Sequence, residues 1–328
     1  MFRLSTSIVA FLLLAWPVQA QVFWAVGGSA SDRIEAGNVD GTGQTVLWSA
    51  ANPSGSNPWG IDFHTGDGRV YWSDSIARQI NRINTDGTGF ETLFTYNPAS
   101  TFSLAIDAAA NEVFFIAASP VSAIVRSDFA GNTSTFVAVS PTNAWLTLDA
   151  ANRYLYWTET STGFIRRANL DGTTVVENVV SLAYVGSPQA RGIALDGQGG
   201  LYWVDNNTDY LYGVDLADFT GTPIVAGSEH ELFNLRSVTN NTASTPNGLA
   251  SDGQFLYWTE GLSGFRGIYR ADLDGGNAGL LFAGDTTTSP LGVAAAPIPE
   301  SGPLLLAGAG LVGTLVAQRW RRRSLRQG

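Results

Sequence analysis

Six times the chain sets an aliphatic residue before two aromatics: Val22-Phe23-Trp24, Val70-Tyr71-Trp72, Val113-Phe114-Phe115, Leu155-Tyr156-Trp157, Leu201-Tyr202-Trp203 and Leu256-Tyr257-Trp258. The first residues stand 48, 43, 42, 46 and 55 positions apart. A period of this length marks one supersecondary unit used over and over, and it constrains the fold before any other feature does. Within each unit the apolar runs are short, rich in β-branched and aromatic residues, and separated by turn residues. In the second unit these runs are Gly60-Ile61-Asp62-Phe63, Val70 to Asp74, Gln79 to Asn84 and Phe90 to Phe94. Four short strands joined by tight turns read as an antiparallel meander.

Two further recurrences support the reading. Asp40-Gly41, Asp86-Gly87, Asp171-Gly172 and Asp274-Gly275 fall between the third and fourth strands, with Gly131-Asn132 in the same place in the third unit. These pairs suit type I′ turns, which need positive φ at both central positions. Ahead of the aromatic pairs, Leu104 to Asp107, Leu146 to Asp149, Ile193 to Asp196 and Leu249 to Asp252 match Gly60-Ile61-Asp62. The first unit lacks this strand, and its counterpart stands at the far end as Leu291 to Ala295. The expected fold is all-β, a six-bladed β-propeller of four-stranded antiparallel blades. Its C-terminal strand completes the first sheet, so no long edge is left open.

The repeated residues resemble a known family. Tyr71-Trp72-Ser73-Asp74, Tyr156-Trp157-Thr158-Glu159, Tyr202-Trp203-Val204-Asp205 and Tyr257-Trp258-Thr259-Glu260 are similar to the repeat of the YWTD propeller, the domain of the low-density-lipoprotein receptor group. The resemblance spans residues 21 to 297 and implies a binding domain. Phe23-Trp24-Ala25-Val26 and Phe114-Phe115-Ile116-Ala117 keep only the aromatic character. Successive strand residues face opposite sides, so each pair puts one ring on each face of its blade. Trp24, Tyr71, Trp72, Tyr156, Trp157, Tyr202, Trp203, Tyr257 and Trp258 are therefore read as packing residues.

The two ends carry other signals. Arg3, the apolar run Ile8 to Trp16 and Val18-Gln19-Ala20 read as a secretory signal peptide over residues 1 to 20. Residues 298 to 328 hold Pro299-Glu300-Ser301, an apolar stretch from Pro303 to Ala317 and an arginine-rich end. That stretch is short for a span of about 20 residues, and the arginines mark a cytoplasmic stop. The tail resembles the PEP-CTERM sorting signal. The resemblance implies transient membrane anchoring, processing by an exosortase, and export to the surface or extracellular matrix of a Gram-negative bacterium. A plain membrane anchor is the other reading. Between the ends, 12 arginines stand against 27 acids, a net charge near −15. Such a surface repels nucleic acid.

Few residues point to chemistry. The chain has no cysteine, so disulfides and thiolate sites are excluded. It has neither a GxSxG elbow nor a phosphate-binding Gly-Lys-Ser/Thr loop, and His64 and His230 lie outside zinc spacings. No catalytic or cofactor-binding residue is assigned. Asp62, Asp107, Asp149, Asp196 and Asp252 end the first strands. They read either as turn caps or as a ring of oxygens around a channel cation such as Ca²⁺. The longest step contains Gly227 to Val238, read as a solvated surplus loop that includes Glu229-His230-Glu231. Two functions follow. One is a non-enzymatic exported propeller binding a protein or polysaccharide. The other is a calcium-dependent lactonase or hydrolase with its site at the channel.

Overall fold

A computed structural model describes residues 20–296 except 29–30, 52–54, 98, 119–122, 139–143, 172–174, 184–187 and 240–242. The segment read as a signal peptide, except Ala20, and the tail with Pro299, Glu300 and Ser301 lie outside the described residues. Six antiparallel sheets form the expected blades. From the inside outward, blade two is β4 (Pro58–His64), β5 (Arg69–Asp74), β6 (Gln79–Asn84) and β7 (Glu91–Thr95). Blade three is β8 (Thr101–Asp107), β9 (Glu112–Ala117), β10 (Ala123–Asp128) and β11 (Thr133–Ala138). Blade four begins with β12 (Leu146–Asp149), β13 (Tyr154–Glu159), β14 (Phe164–Asn169) and β15 (Val176–Ser181). Blade five is β16 (Ala190–Leu195), β17 (Gly200–Asp205), β18 (Tyr210–Asp215) and β20 (Glu231–Asn234). Blade six is β21 (Pro246–Ser251), β22 (Phe255–Glu260), β23 (Gly267–Asp272) and β24 (Gly279–Ala283). Blade one closes the ring: β25 (Ser289–Ala295) is the inner neighbour of β1 (Gln21–Gly27), followed by β2 (Arg33–Asn38) and β3 (Thr45–Ser49).

Apolar residues sort into six clusters among the described residues, one per gap between blades. Phe23 meets Trp72, Tyr71 meets Phe115, and Phe114 meets Trp157. Tyr156 then meets Trp203, Tyr202 meets Trp258, and Tyr257 meets Trp24. The first ring of each pair thus faces the following blade and the second faces the preceding one. All of these rings are at most 3% exposed, so they are core and not a stacking surface. Inner strands approach so closely that a Cβ on Gly192 would lie 2.3 Å from Leu249 N, and one on Gly292 2.4 Å from Trp59 O.

The third motif position stitches blade to blade. Each described inner strand except β12 is bulged, which takes backbone groups out of the ladder. Thr259 Oγ1 accepts Gly248 N–H of its own blade at 2.8 Å and donates to Leu291 O of blade one at 2.9 Å. Ser73 Oγ does the same between Gly60 N–H and Phe102 O. In blade three Ile116 has no hydroxyl. Ser103 in the inner strand takes over there, accepting Leu146 N–H of blade four at 3.0 Å.

Two expectations are corrected. The Asp-Gly turns are not type I′. In the three pairs that lie wholly among the described residues only the glycine has positive φ (88° at Gly41, 82° at Gly87, 81° at Gly275), and the aspartate does not. Gly87 N–H bonds Asn84 O and Asn84 N–H bonds Thr88 O, so a type I turn is closed by a one-residue glycine bulge. The aspartate caps the loop instead, as Asp86 Oδ1 accepts Thr88 N–H at 2.9 Å. Secondly, the segment after Gly227 is not a surplus loop. Glu231–Asn234 is the outer strand β20 of blade five, and a short helix, α1 (Arg236–Thr239), follows it. The extra length precedes it, where β19 (Ile224–Val225) runs parallel to β15 as a fifth strand on blade four.

Replacing Thr259 by Val removes the hydroxyl while keeping the shape. Gly248 N–H and Leu291 O lose their partner, and each orphaned group costs about 1–3 kcal/mol. The urea midpoint is expected to fall with an unchanged slope. An unchanged midpoint would show that the stitch adds nothing.

Candidate functional site

The inner-strand register decides where the sequence-selected acids sit. Ile61, Leu104, Leu146, Ile193, Leu249 and Val293 lie opposite the second motif aromatic in their blades. Asp107, Asp149, Asp196 and Asp252 come three residues after this reference point, but Asp62 comes one after. The residue equivalent to the four aspartates in blade two is His64. Asp107, Asp149, Asp196 and Asp252 each cap the turn that follows. Asp252 Oδ1, for example, accepts the N–H of Gln254 and of Phe255 at 2.8 Å. His64 Nδ1 performs this task in blade two, accepting Gly66 N–H at 3.1 Å and Asp67 N–H at 2.9 Å. The five acids therefore do not form one ring of oxygens. Among the described residues no group of three His, Cys, Asp or Glu converges to hold an ion.

Asp62 stands apart. Its Oδ1 accepts Phe63 N–H and its Oδ2 accepts Ile106 N–H of blade three, both at 2.8 Å. Ala105, Thr147, Ala194, Ala250 and Ala294 occupy this level in the other blades. Desolvation outweighs the two N–H bonds and lifts the carboxyl to about 6.

The motif acids are equally engaged. Asp74 Oδ1 accepts Asn57 N–H at 3.0 Å from the incoming loop, and Ile76 and Ala77 N–H at 3.1 and 2.8 Å from the outgoing turn. Glu260 Oε1 takes Thr245 N–H at 2.7 Å and Leu262 N–H at 2.8 Å. Asp205 binds Gln189, Asn207 and Thr208 N–H at 2.8–3.1 Å. Glu159 pairs with Arg166 at 3.0 Å. Glu229-His230-Glu231 does not converge either. His230 Nδ1 accepts Gly227 N–H at 3.2 Å, and Glu231 belongs to β20 opposite Tyr212.

On the face where these motif acids lie, the inner strands begin and ring the mouth of the channel. Two residues before the register reference come Trp59, Phe102, Ala144, Arg191, Asn247 and Leu291. Trp59 meets Phe102 edge-on at 5.1 Å, and it packs against the cluster of blades four and five, across the channel from its own blade two. Together these aromatics floor the mouth. Beside them Arg191 Nη1 donates to Asn247 Oδ1, while Arg191 Nε is buried with no partner. No carboxylate pairs with Arg191 among the described residues, and burial draws its guanidinium below the ordinary value despite Asp205 nearby. Trp59 and Arg191 were not singled out in the sequence. The only signal was an irregularity: a large or charged residue where neighbouring inner strands carry Ala, Asn or Leu.

The Asp62 carboxyl gives a pH-dependent signature. Its folded pKa lies above the unfolded value of 3.8, so the folded state holds the proton more tightly. Its contribution to stability is full below pH 3.8 and is lost as pH rises through about 6. Against Asp62→Ala, the wild-type chain should lose about 3 kcal/mol of relative stability between pH 3.5 and 7. Parallel urea curves across this range would show instead that the group titrates normally.

No protein-family model matches the chain. A curated relative, "Low-density lipoprotein receptor-related protein 1" of Pyricularia oryzae, is 25% identical over 289 residues, covering 84% of this chain and 80% of the relative. Among solved structures, a chain of a nidogen/laminin complex superposes with a TM-score of 0.68 at 19% identity, covering 85% of this chain and 98% of that one. A gluconolactonase of Xanthomonas campestris reaches 0.55 at 16% identity, over 82% and 83% of the two chains. The chain is a six-bladed β-propeller, similar in sequence to the receptor-related relative and in fold to the chain of the nidogen/laminin complex.

Proposed function

We propose that the chain is an exported, non-enzymatic propeller that binds a protein partner at a bacterial cell surface or in the extracellular matrix. The observation that carries this reading is the floored channel mouth. Trp59 reaches across the channel and with Phe102 forms an apolar floor, with Arg191 and Asn247 beside it. Apolar floors rimmed by polar groups suit macromolecular docking, with aromatic and arginine anchors at the centre. Asp74, Asp205 and Glu260 are committed to backbone caps and Glu159 to Arg166, so the motif acids do not offer free carboxylates for acid–base work. The relatives named for receptor and nidogen proteins agree with this reading.

The second reading, a lactonase or hydrolase in the channel, draws on the likeness to a gluconolactonase and on Asp62, whose raised carboxyl suits proton transfer near neutrality. One experiment separates the two. The exported chain and its Trp59→Ala variant are cross-linked to intact cells, then assayed against a lactone and ester panel with and without EDTA. A cross-linked protein lost with Trp59→Ala, and no turnover, is expected. EDTA-sensitive turnover that Asp62→Asn abolishes would overturn the binding reading.

Localisation is part of the same proposal. Residues 1 to 20 act as a signal peptide, and the tail from Pro299 acts as a removable sorting signal processed by an exosortase. Intact mass of the envelope-associated protein should give a start at Gln21 and an end between Pro299 and Ser301. A mature species still carrying Arg321 to Arg323 would leave a plain membrane anchor.

A further inference from the structure

Arg191 is anomalous among the arginines of the ring. Arg33, Arg69, Arg82, Arg126, Arg153, Arg166, Arg167 and Arg236 all lie within 4 Å of a carboxylate. Arg270 stacks on Phe255 and donates to Val39 O, and Arg266 donates to Thr286 O and Gly261 O. Exposed Arg78 donates to Asn97 in water. Arg191 is partly buried, has one hydrogen bond to a neutral amide, and has an Nε that bonds nothing. A guanidinium is always charged and presents five donors in a planar fork. Asp205 acts on that fork only from beyond ion-pair distance. Withdrawing the fork from water without a directly bound anion is costly, and the cost is recovered when a carboxylate arrives. The residue stands on the innermost strand at the mouth, bonded to Asn247 of the next blade.

We infer that Arg191 is the receptor for a single carboxylate, an Asp or Glu side chain on a projecting loop of the protein that docks on the mouth. This rests on the binding reading above and names the partner's chemistry. The charge of the ring selects among carboxylate sources. Its body carries about −15, so a polyuronate chain is repelled along its whole length, over a Debye length of about 8 Å. A lone acid on an otherwise neutral or basic loop meets that repulsion once and the guanidinium at contact distance. Trp59 and Phe102 add an apolar surface for the residues flanking the acid.

The test selects disulfide-constrained peptides from a displayed library on the purified full chain, with the Trp59→Ala chain as counter-target, so that mouth binders are retained. These binders are expected to share an Asp or Glu. Arg191→Gln should weaken them about 30-fold or more, as for truncating one side of a desolvated ion pair. Replacing the peptide acid by its amide should weaken binding equally, with no further loss when both changes are combined. Arg191→Lys keeps the charge and the fold but loses the fork, and should fall between. Sodium polygalacturonate should not bind. Mouth binders that lack an acid, or that ignore both Arg191 changes, overturn the inference and leave the docking reading standing. A selection without mouth binders overturns both. Saturable, Arg191-dependent binding of polygalacturonate transfers the site to an acidic polysaccharide and also overturns the inference.

Discussion

The ring depends on one alternation. Each blade sends its first motif aromatic into the following gap and its second into the preceding gap, so every gap receives two large rings from two different sheets. A four-stranded blade alone has two apolar faces and cannot bury either. Six blades arranged cyclically bury all twelve faces at once, and each blade's stability is lent by its neighbours. Further rings complete the seams. Tyr212 stacks on Trp203 at 5.2 Å and 8°, and Phe282 covers Trp24 at 5.0 Å. The hydroxyl stitches at Ser73 and Thr259 are secondary to this packing, because Val204 occupies that position in blade five without loss of the sheet.

Much of this fold is legible in the sequence because the repeating signal is local. Two adjacent aromatics on a short strand report two buried faces, whatever the rest of the chain does. The split blade is legible for the same reason: a missing inner strand at one end and a spare one at the other. The misread features depend on register. Asp62 looked like Asp107 because both follow an apolar residue near a strand's end, yet the pairing with Trp72 and Phe115 sets them two residues apart. The Asp-Gly turns differ from expectation by a single added residue in the loop, which composition does not reveal. Blade five misled most. Its outer strand has only four residues and no Asp-Gly signal, and its true insertion hides as a two-residue addition to the neighbouring sheet.

The candidate site was far less legible. The strand-end acids draw attention in the sequence, but in space Asp107, Asp149, Asp196 and Asp252 accept backbone N–H groups of the turns they cap. His64 shows that this is a geometric requirement for an acceptor and not for a charge, since an imidazole nitrogen replaces the carboxylate and leaves the turn intact. The residues that distinguish the mouth, Trp59 and Arg191, belong to no motif. They stand where the repeat is permissive, and their importance comes from convergence of strands that are far apart in the chain.

The pairing of β25 with β1 has a temporal meaning. Val22 and Ala295 are partners, and nearly the whole ring lies between them in the chain. Blade one therefore stays incomplete until the final strand is available, whereas blades two to six can assemble from contiguous sequence. Long-range pairing of this kind is slow, because the intervening chain must be ordered first. A chain made from its N-terminus is thus held short of its closed state until almost all of the ring has been synthesised. The last seven-residue strand acts as a clasp that only a nearly complete propeller can fasten.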